Sequence, residues 1–445
     1  MTATILRGVQ LPEPAAPHDV LIEGGMIAAI APELRAPANT LELDCRGLTA
    51  LPATIDAHVH FNDPGRADWE GGATGSRALA AGGGALFFDM PLNSSPCTTT
   101  AENFDAKAAA LSQSALTDFA LWGGIVPGNL GALGELAARG VIGFKAFMAE
   151  SGLAEFPRAD DLTLFEGMRA AAGVNLPVAV HAESHEITSG LTARAKARDI
   201  ASYLASRPVV AEVEAIHRAG LLAREAGCKL HIVHISSGAG IAAALEARAR
   251  GTDISIETCA HYLYFTEEDV HRIGAAAKCA PPLRPAADRD ALHSALLRGE
   301  IDIVTSDHSP APQHMKDSPD FFAVWGGVAG VQSTLAVLLD RGVPLPLIAR
   351  VLAEAPAARF GLSRRGRLSA GNYADIVLVD LAAEHTLRRE DLHQRHAITP
   401  YLGRTFRGRI VRTLRRGQTI CENGKIVAAS CGILVTPHAQ PRTNA

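Results

Sequence analysis

The chain has 445 residues, 47% of them hydrophobic and 20% charged, with a formal net charge of −5 at pH 7. This is the balance of a soluble globular protein with room for one large domain and a smaller one. No basic excess marks it for nucleic acid, no apolar run reaches the roughly 18 residues of a membrane span, and the first residues lack the pattern of a signal peptide. The seven cysteines (Cys45, Cys97, Cys228, Cys259, Cys279, Cys421 and Cys431) are scattered and form no C-x-x-C pair. They suit a reducing compartment, so a cytoplasmic location is expected.

Residues 1–49 carry short alternating runs, such as Val20 to Ile30, broken by Gly24-Gly25. Such runs with Gly-Gly or Asn-Gly between them predict hairpins. From about residue 48 to residue 310 the pattern changes. Eight apolar runs each end in a polar cluster: Leu48–His60, Ala85–Met90, Phe119–Val126, Val141–Met148, Pro177–His181, Lys229–Ser236, Asp253–Thr258 and Ile301–Asp307. Helix-like segments such as Ala101–Ser114, Val209–Ala226 and Ile241–Arg250 lie between them. Buried strands alternating with helices imply a parallel sheet, and eight units predict an α/β fold of the (β/α)8 TIM-barrel type. A doubly wound open sheet is the alternative, weakened by the lack of a Gly-x-Gly-x-x-Gly turn in the first unit. Residues 370–432 return to short alternating runs. The expected organisation is therefore a barrel over 50–369 and a small β-sandwich domain built from 1–49 and 370–432. A C-terminal tail over 433–445 is expected to fray from about Thr436.

Barrel enzymes keep their reactive groups at the C-terminal ends of the strands. The first run ends in His58 and His60, which share one side of a strand because side chains alternate with a period of two. Alone, the pair reads equally as a polar turn or as half a metal site. The other runs contribute Lys145 (fourth), His181 (fifth), His231 and His234 (sixth) and Asp307 (eighth). A lysine in Val-Ile-Gly-Phe-Lys-Ala-Phe-Met faces a steep desolvation cost unless its charge is removed or paired. As a neutral amine it can add CO2, giving N6-carboxylysine, whose two oxygens can bridge cations roughly 3.5–4 Å apart. The ligand count then closes on two divalent metal ions per chain. One takes His58, His60, Asp307 and a carbamate oxygen of Lys145; the other takes His181, His234 and the second carbamate oxygen. Nitrogen and oxygen donors without cysteine suit zinc, and manganese, cobalt or iron also fit. A hydroxide between the two cations is the expected nucleophile, with Asp307 as the catalytic proton carrier. His231 is the rival of His234, which is preferred for lying nearer the end of its run. His261 and His308 read better as hydrogen-bonded neighbours than as ligands, and Asn93 reads equally as turn chemistry or a substrate contact.

These residues resemble those of the cyclic amidohydrolases, the branch of the amidohydrolase superfamily that includes dihydroorotases and hydantoinases. The matching stretches include His58-Val-His-Phe-Asn-Asp-Pro-Gly-Arg, Gly143-Phe-Lys-Ala-Phe-Met, Glu257-Thr-Cys-Ala-His-Tyr-Leu, Lys278-Cys-Ala-Pro-Pro-Leu-Arg, Thr305-Ser-Asp-His-Ser-Pro and Trp325-Gly-Gly-Val-Ala-Gly-Val-Gln. The resemblance implies hydrolytic opening of a small cyclic amide, a homotetramer, and substrate contacts at Asn62, Asn93, Cys279, Ser309 and Trp325. Dihydroorotases carry an arginine where this chain has Asn62, although Arg66 is close enough in sequence to stand in. Hydantoinases carry a tyrosine after the lysine strand, where this chain runs Met148-Ala-Glu-Ser-Gly. Relatives often have serine at the position of Ala280. The reading within the family turns toward ring opening of a cyclic ureide. A scaffold that has lost its metals is disfavoured because every ligand type is present.

Overall fold

The computed structural model describes residues 3–13, 16–430 and 432–437. Eight strands form the barrel: β1 (Thr54–Val59), β2 (Gly84–Asp89), β3 (Asp118–Leu121), β4 (Phe144–Phe147), β5 (Val178–His181), β6 (Leu230–Ile232), β7 (Ile254–Cys259) and β8 (Ile303–Thr305). Neighbours pair in parallel, and the register sets Lys145, Ala179, His231 and Ser255 side by side. After Trp122 the short segment Gly123–Gly124 carries β3 onto β4. The ring closes where Val59 bridges His308 in parallel and the His60 amide donates to the His308 carbonyl at 2.8 Å. Strands buried on both faces need near-continuous apolar sequence, as the eight runs have. Helices cover the outside; Thr100 caps Ala101–Ser114 by accepting from the Asn103 amide.

The sequence expectation of one strand over Leu48–His60 is corrected. Thr49–Pro52 pairs antiparallel with Ile376–Val379, and only after Ala53 does β1 enter the barrel. Both sheets want apolar residues here, so hydrophobicity does not mark the handover. The Ala53 amide still donates to the Asp375 carbonyl at 3.0 Å, and the next amide, that of Thr54, turns to the Gly83 carbonyl of the barrel at 3.0 Å.

The two ends of the chain build a β-sandwich. One sheet is ordered Met26–Ala31, His18–Glu23, Thr4–Val9, Leu41–Asp44; the other is ordered Lys425–Ile426, Gln418–Glu422, Thr405–Arg415, Ile376–Thr386, Thr49–Pro52. Gly24 and Gly25 turn the hairpin between His18–Glu23 and Met26–Ala31 with φ of 56° and 82°, the left-handed pair a two-residue turn requires. Leu6, Val20, Ile22, Ile376, Leu378 and Leu414 pack together between the sheets. Asp118, at the start of β3, ties the sandwich to the barrel through Arg365 at 2.6 Å and Arg416 at 3.1 Å. The stretch 432–437 lies along β3, with the Phe119 amide donating to Ile433 and the Val435 amide to Phe119. The remainder of the expected frayed tail, 438–445, and Cys431 lie outside the described residues.

Candidate active site

His58, His60 and Asp307 converge at the barrel mouth, with one ligand atom from each within 4.8 Å of the others. His58 is the last but one residue of β1, while His60 and Asp307 lie just beyond β1 and β8. Asp307 takes φ of 44°, which turns its side chain back over the mouth. Hydrogen bonds decide which nitrogens are free. His58 Nδ1 donates to Glu257 Oε1 at 3.0 Å, and His60 Nδ1 faces the Leu92 carbonyl at 3.4 Å. Their Nε2 lone pairs therefore point inward, 3.2 and 3.3 Å from Asp307 Oδ1. Burial pushes His58 below the usual imidazole range. Burial alone would raise the Asp307 carboxyl, but His58 and His60 outweigh it and hold it at about 2. Two imidazole nitrogens and a carboxylate oxygen sharing one point form a set of ligand atoms that suits a cation.

A second group lies beside the first. His181 Nε2 donates to Glu183 Oε2 at 2.8 Å, leaving Nδ1 to face His234 Nε2 at 3.0 Å. Burial pushes both rings down, His234 further because His181, Lys145 and His58 add to it. Lys145 is fully buried and its Nζ has no hydrogen-bond partner. Burial pushes this amine down to about 8. Its charge is felt by His58 on one side and by His181 and His234 on the other. An orphaned lysine amine between two imidazole groups fits a bridging role once it is no longer an ammonium.

The mouth opens into a cavity of about 460 Å³. Asn93, Cys279, Ser309 and Trp325 are on its wall, with His58, His60, His181, His234 and Asp307 at its base. Asn93 Nδ2 donates to Ser309 Oγ at 3.3 Å. Burial pushes the Cys279 thiol up to about 12, so it is not a nucleophile at neutral pH. Asn62 is fully buried, with φ of 66°, and is not on the cavity wall. Arg66 donates to the Asn93 carbonyl and to Glu155, so its guanidinium is committed elsewhere.

The remaining histidines are distinguished by their partners. His231 bonds Ser255 Oγ at 2.8 Å and Glu257 Oε2 at 2.9 Å, deep in the barrel. His308 accepts from the Gly330 amide and donates to Glu70. His261 is buried against Tyr262, and burial pushes it to about 4. Sequence reasoning missed Glu257, which serves His58, His231 and the His234 amide together. It also missed Glu183, which takes Arg207 as well as His181. The available signal was an acidic residue within or just beyond an otherwise apolar strand.

The barrel, its mouth of histidines with an aspartate, and the two-ended β-sandwich agree with what comparison finds. Residues 49–426 match the amidohydrolase family, and the chain belongs to it. An allantoinase of Solibacter usitatus is 60% identical over 99% of this chain and 98% of that protein, and one of Rubrobacter xylanophilus is 55% identical over 95% and 94%. Among solved structures, an L-hydantoinase (dihydropyrimidinase) from Arthrobacter aurescens superposes with a TM-score of 0.93 at 32% identity, covering 98% of this chain and all of that one.

Proposed function

We propose that this chain is an allantoinase: it hydrolyses the hydantoin ring of allantoin to give allantoate. The observation that carries this reading is the 60% identity to a protein named for that activity, over nearly all of both chains. The site chemistry supports it. His58, His60 and Asp307 would hold one divalent ion, and His181 and His234 a second, with carboxylated Lys145 bridging them. Zinc suits these donors, with manganese, cobalt or iron as alternatives. Such ions, when bound, acidify a water molecule and polarise the ring carbonyl.

The protein's own groups do the rest. Glu257 and Glu183 hold the imidazoles in single tautomers, with the lone pairs aimed inward. Asp307 takes the proton of the attacking water at Oδ2 and returns it to the departing ring nitrogen. The cavity volume suits a single small molecule. Asn93, Ser309, Cys279 and Trp325 contact the substrate. The chain acts in the cytoplasm as a homotetramer, with the two chain ends forming the composite β domain and the segment between them the hydrolase barrel, the first boundary falling after Pro52 rather than at residue 50.

A second reading, hydantoin or dihydropyrimidine hydrolysis, is favoured by the backbone likeness to hydantoinases at 32% identity. It is weakened by the missing tyrosine after β4. Dihydroorotate is weaker still, because Arg66 is bound to Glu155 and to the Asn93 carbonyl. Kinetics of the purified, metal-supplied chain on allantoin, hydantoin, dihydrouracil and dihydroorotate decide among them. The proposal expects the highest kcat/KM on allantoin; a higher value on any of the others would overturn it.

A further inference from the structure

Two lysines outside the reacting groups hold one wall of the cavity. Residues 321–327 contain no helix or strand, yet Phe322 through Gly327 all line the cavity. Lys278 Nζ donates to the carbonyls of Phe321 at 2.6 Å, Phe322 at 3.2 Å and Val324 at 2.5 Å. Lys316 Nζ donates to Trp325 at 2.9 Å, Gly327 at 2.8 Å and, behind the loop, Ala275 at 3.3 Å. Five of the seven carbonyls in the stretch thus end on two ammonium groups.

Both side chains are buried, at 4% and 6% exposure. Asp320, whose field reaches Lys278, is paired with Arg198 at 3.0 Å. An ammonium has three donors and no acceptor, and each of these meets three carbonyl oxygens. The match leaves Lys278 no donor for a substrate, although it borders the cavity. Burial opposes both charges, pushing Lys278 to about 7, with Arg207 and Lys316 adding to the effect, and Lys316 to about 8. The carbonyls pull the other way, since a neutral amine has two donors for three acceptors and would strand a buried oxygen.

We propose that Lys278 and Lys316 are positioning residues, a paired carbonyl clamp that fixes the backbone of 321–327 as the substrate-facing wall and sets substrate affinity rather than the chemical step. The kinetic half of this inference rests on the hydrolase reading of the cavity; the structural half does not.

The test uses the full-length, metal-loaded chain and Lys278→Met, which keeps the length of the side chain and removes its donors. Hydrogen exchange in peptides covering 321–327 should accelerate about ten-fold or more, with β1 and β8 unchanged. KM for allantoin should rise about ten-fold, with kcat held within about three-fold and metal content unaltered. If Lys278→Met fails to fold, Lys316→Met carries the same test, its acceleration centred on 325–327. Wild-type exchange at 321–327 in the folded variants overturns the clamp, as does a loss confined to kcat. If the wild-type chain does not act on allantoin, the exchange result still decides the clamp, so the two failures are told apart.

Discussion

Glu257 and His58, 199 residues apart in the chain, meet with His58 Nδ1 donating to Glu257 Oε1 at 3.0 Å. The other oxygen of the same carboxylate accepts from His231 Nε2 at 2.9 Å. Burial alone would raise this carboxyl, but His58 and His231 outweigh it and hold it below the usual carboxylate range. A fixed negative charge behind His58 sets its tautomer and strengthens the inward Nε2 as a donor to a cation. Groups placed in this way commonly govern metal affinity.

Glu257→Gln keeps the volume but exchanges one acceptor oxygen for an amide that cannot accept. Metal affinity or activity should fall about 10–100-fold, with the fold retained. Competition against a chelator of known affinity checks it, and unchanged affinity would show that the contact does not act on the metal.

Lys145 has no hydrogen-bond partner for its buried amine. Lys145→Ala should therefore bind fewer than two metals per chain, and a carbamate carbon signal should appear with ¹³C-labelled bicarbonate only in the wild-type chain. Elemental analysis together with carbon NMR measures both. Two metals retained per chain in the variant would remove the bridging role.

Asp19 joins three parts of the sandwich, accepting from the Gly8 amide, the Leu34 amide and Arg7. Burial raises its pKa, but these donors outweigh burial and hold it below 3.8. A depressed carboxyl stabilises the fold above its unfolded value, and that contribution is lost as pH falls through the folded value. Asp19→Asn should therefore cost about 2 kcal/mol at pH 7. The gap to wild type should close as pH drops below about 3.8. Thermal unfolding of both chains at a series of pH values reads this directly; a gap independent of pH would contradict it.

The barrel was legible because each strand needs an apolar run and each run ends in polar groups. The seam at Pro52 was hidden because sandwich and barrel strands share the same hydrophobicity. His234 is preferred to His231 in the sequence only for lying nearer the end of its run; β6 ends at Ile232 and leaves His234 beyond the strand with φ of 43°. Glu257 shows in the sequence only as an acidic residue inside an apolar strand, because its three partners come from β1, from β6 and from the turn after β6. Lys278 stands within Lys278-Cys-Ala-Pro-Pro-Leu-Arg, yet its acceptors lie 43 to 46 residues further along. Contacts at such separation follow from the closure of the barrel and leave no local period in the sequence.

The proposed activity is metal-dependent hydrolysis of allantoin at the mouth formed by His58, His60, Lys145, His181, His234 and Asp307. Its most direct test is a titration of chelator-stripped protein with zinc or manganese in the presence of CO2, following allantoate release. No turnover is expected without metal, and activity should saturate at two ions per chain. Full allantoin turnover by metal-free protein, or none at any loading, would contradict it.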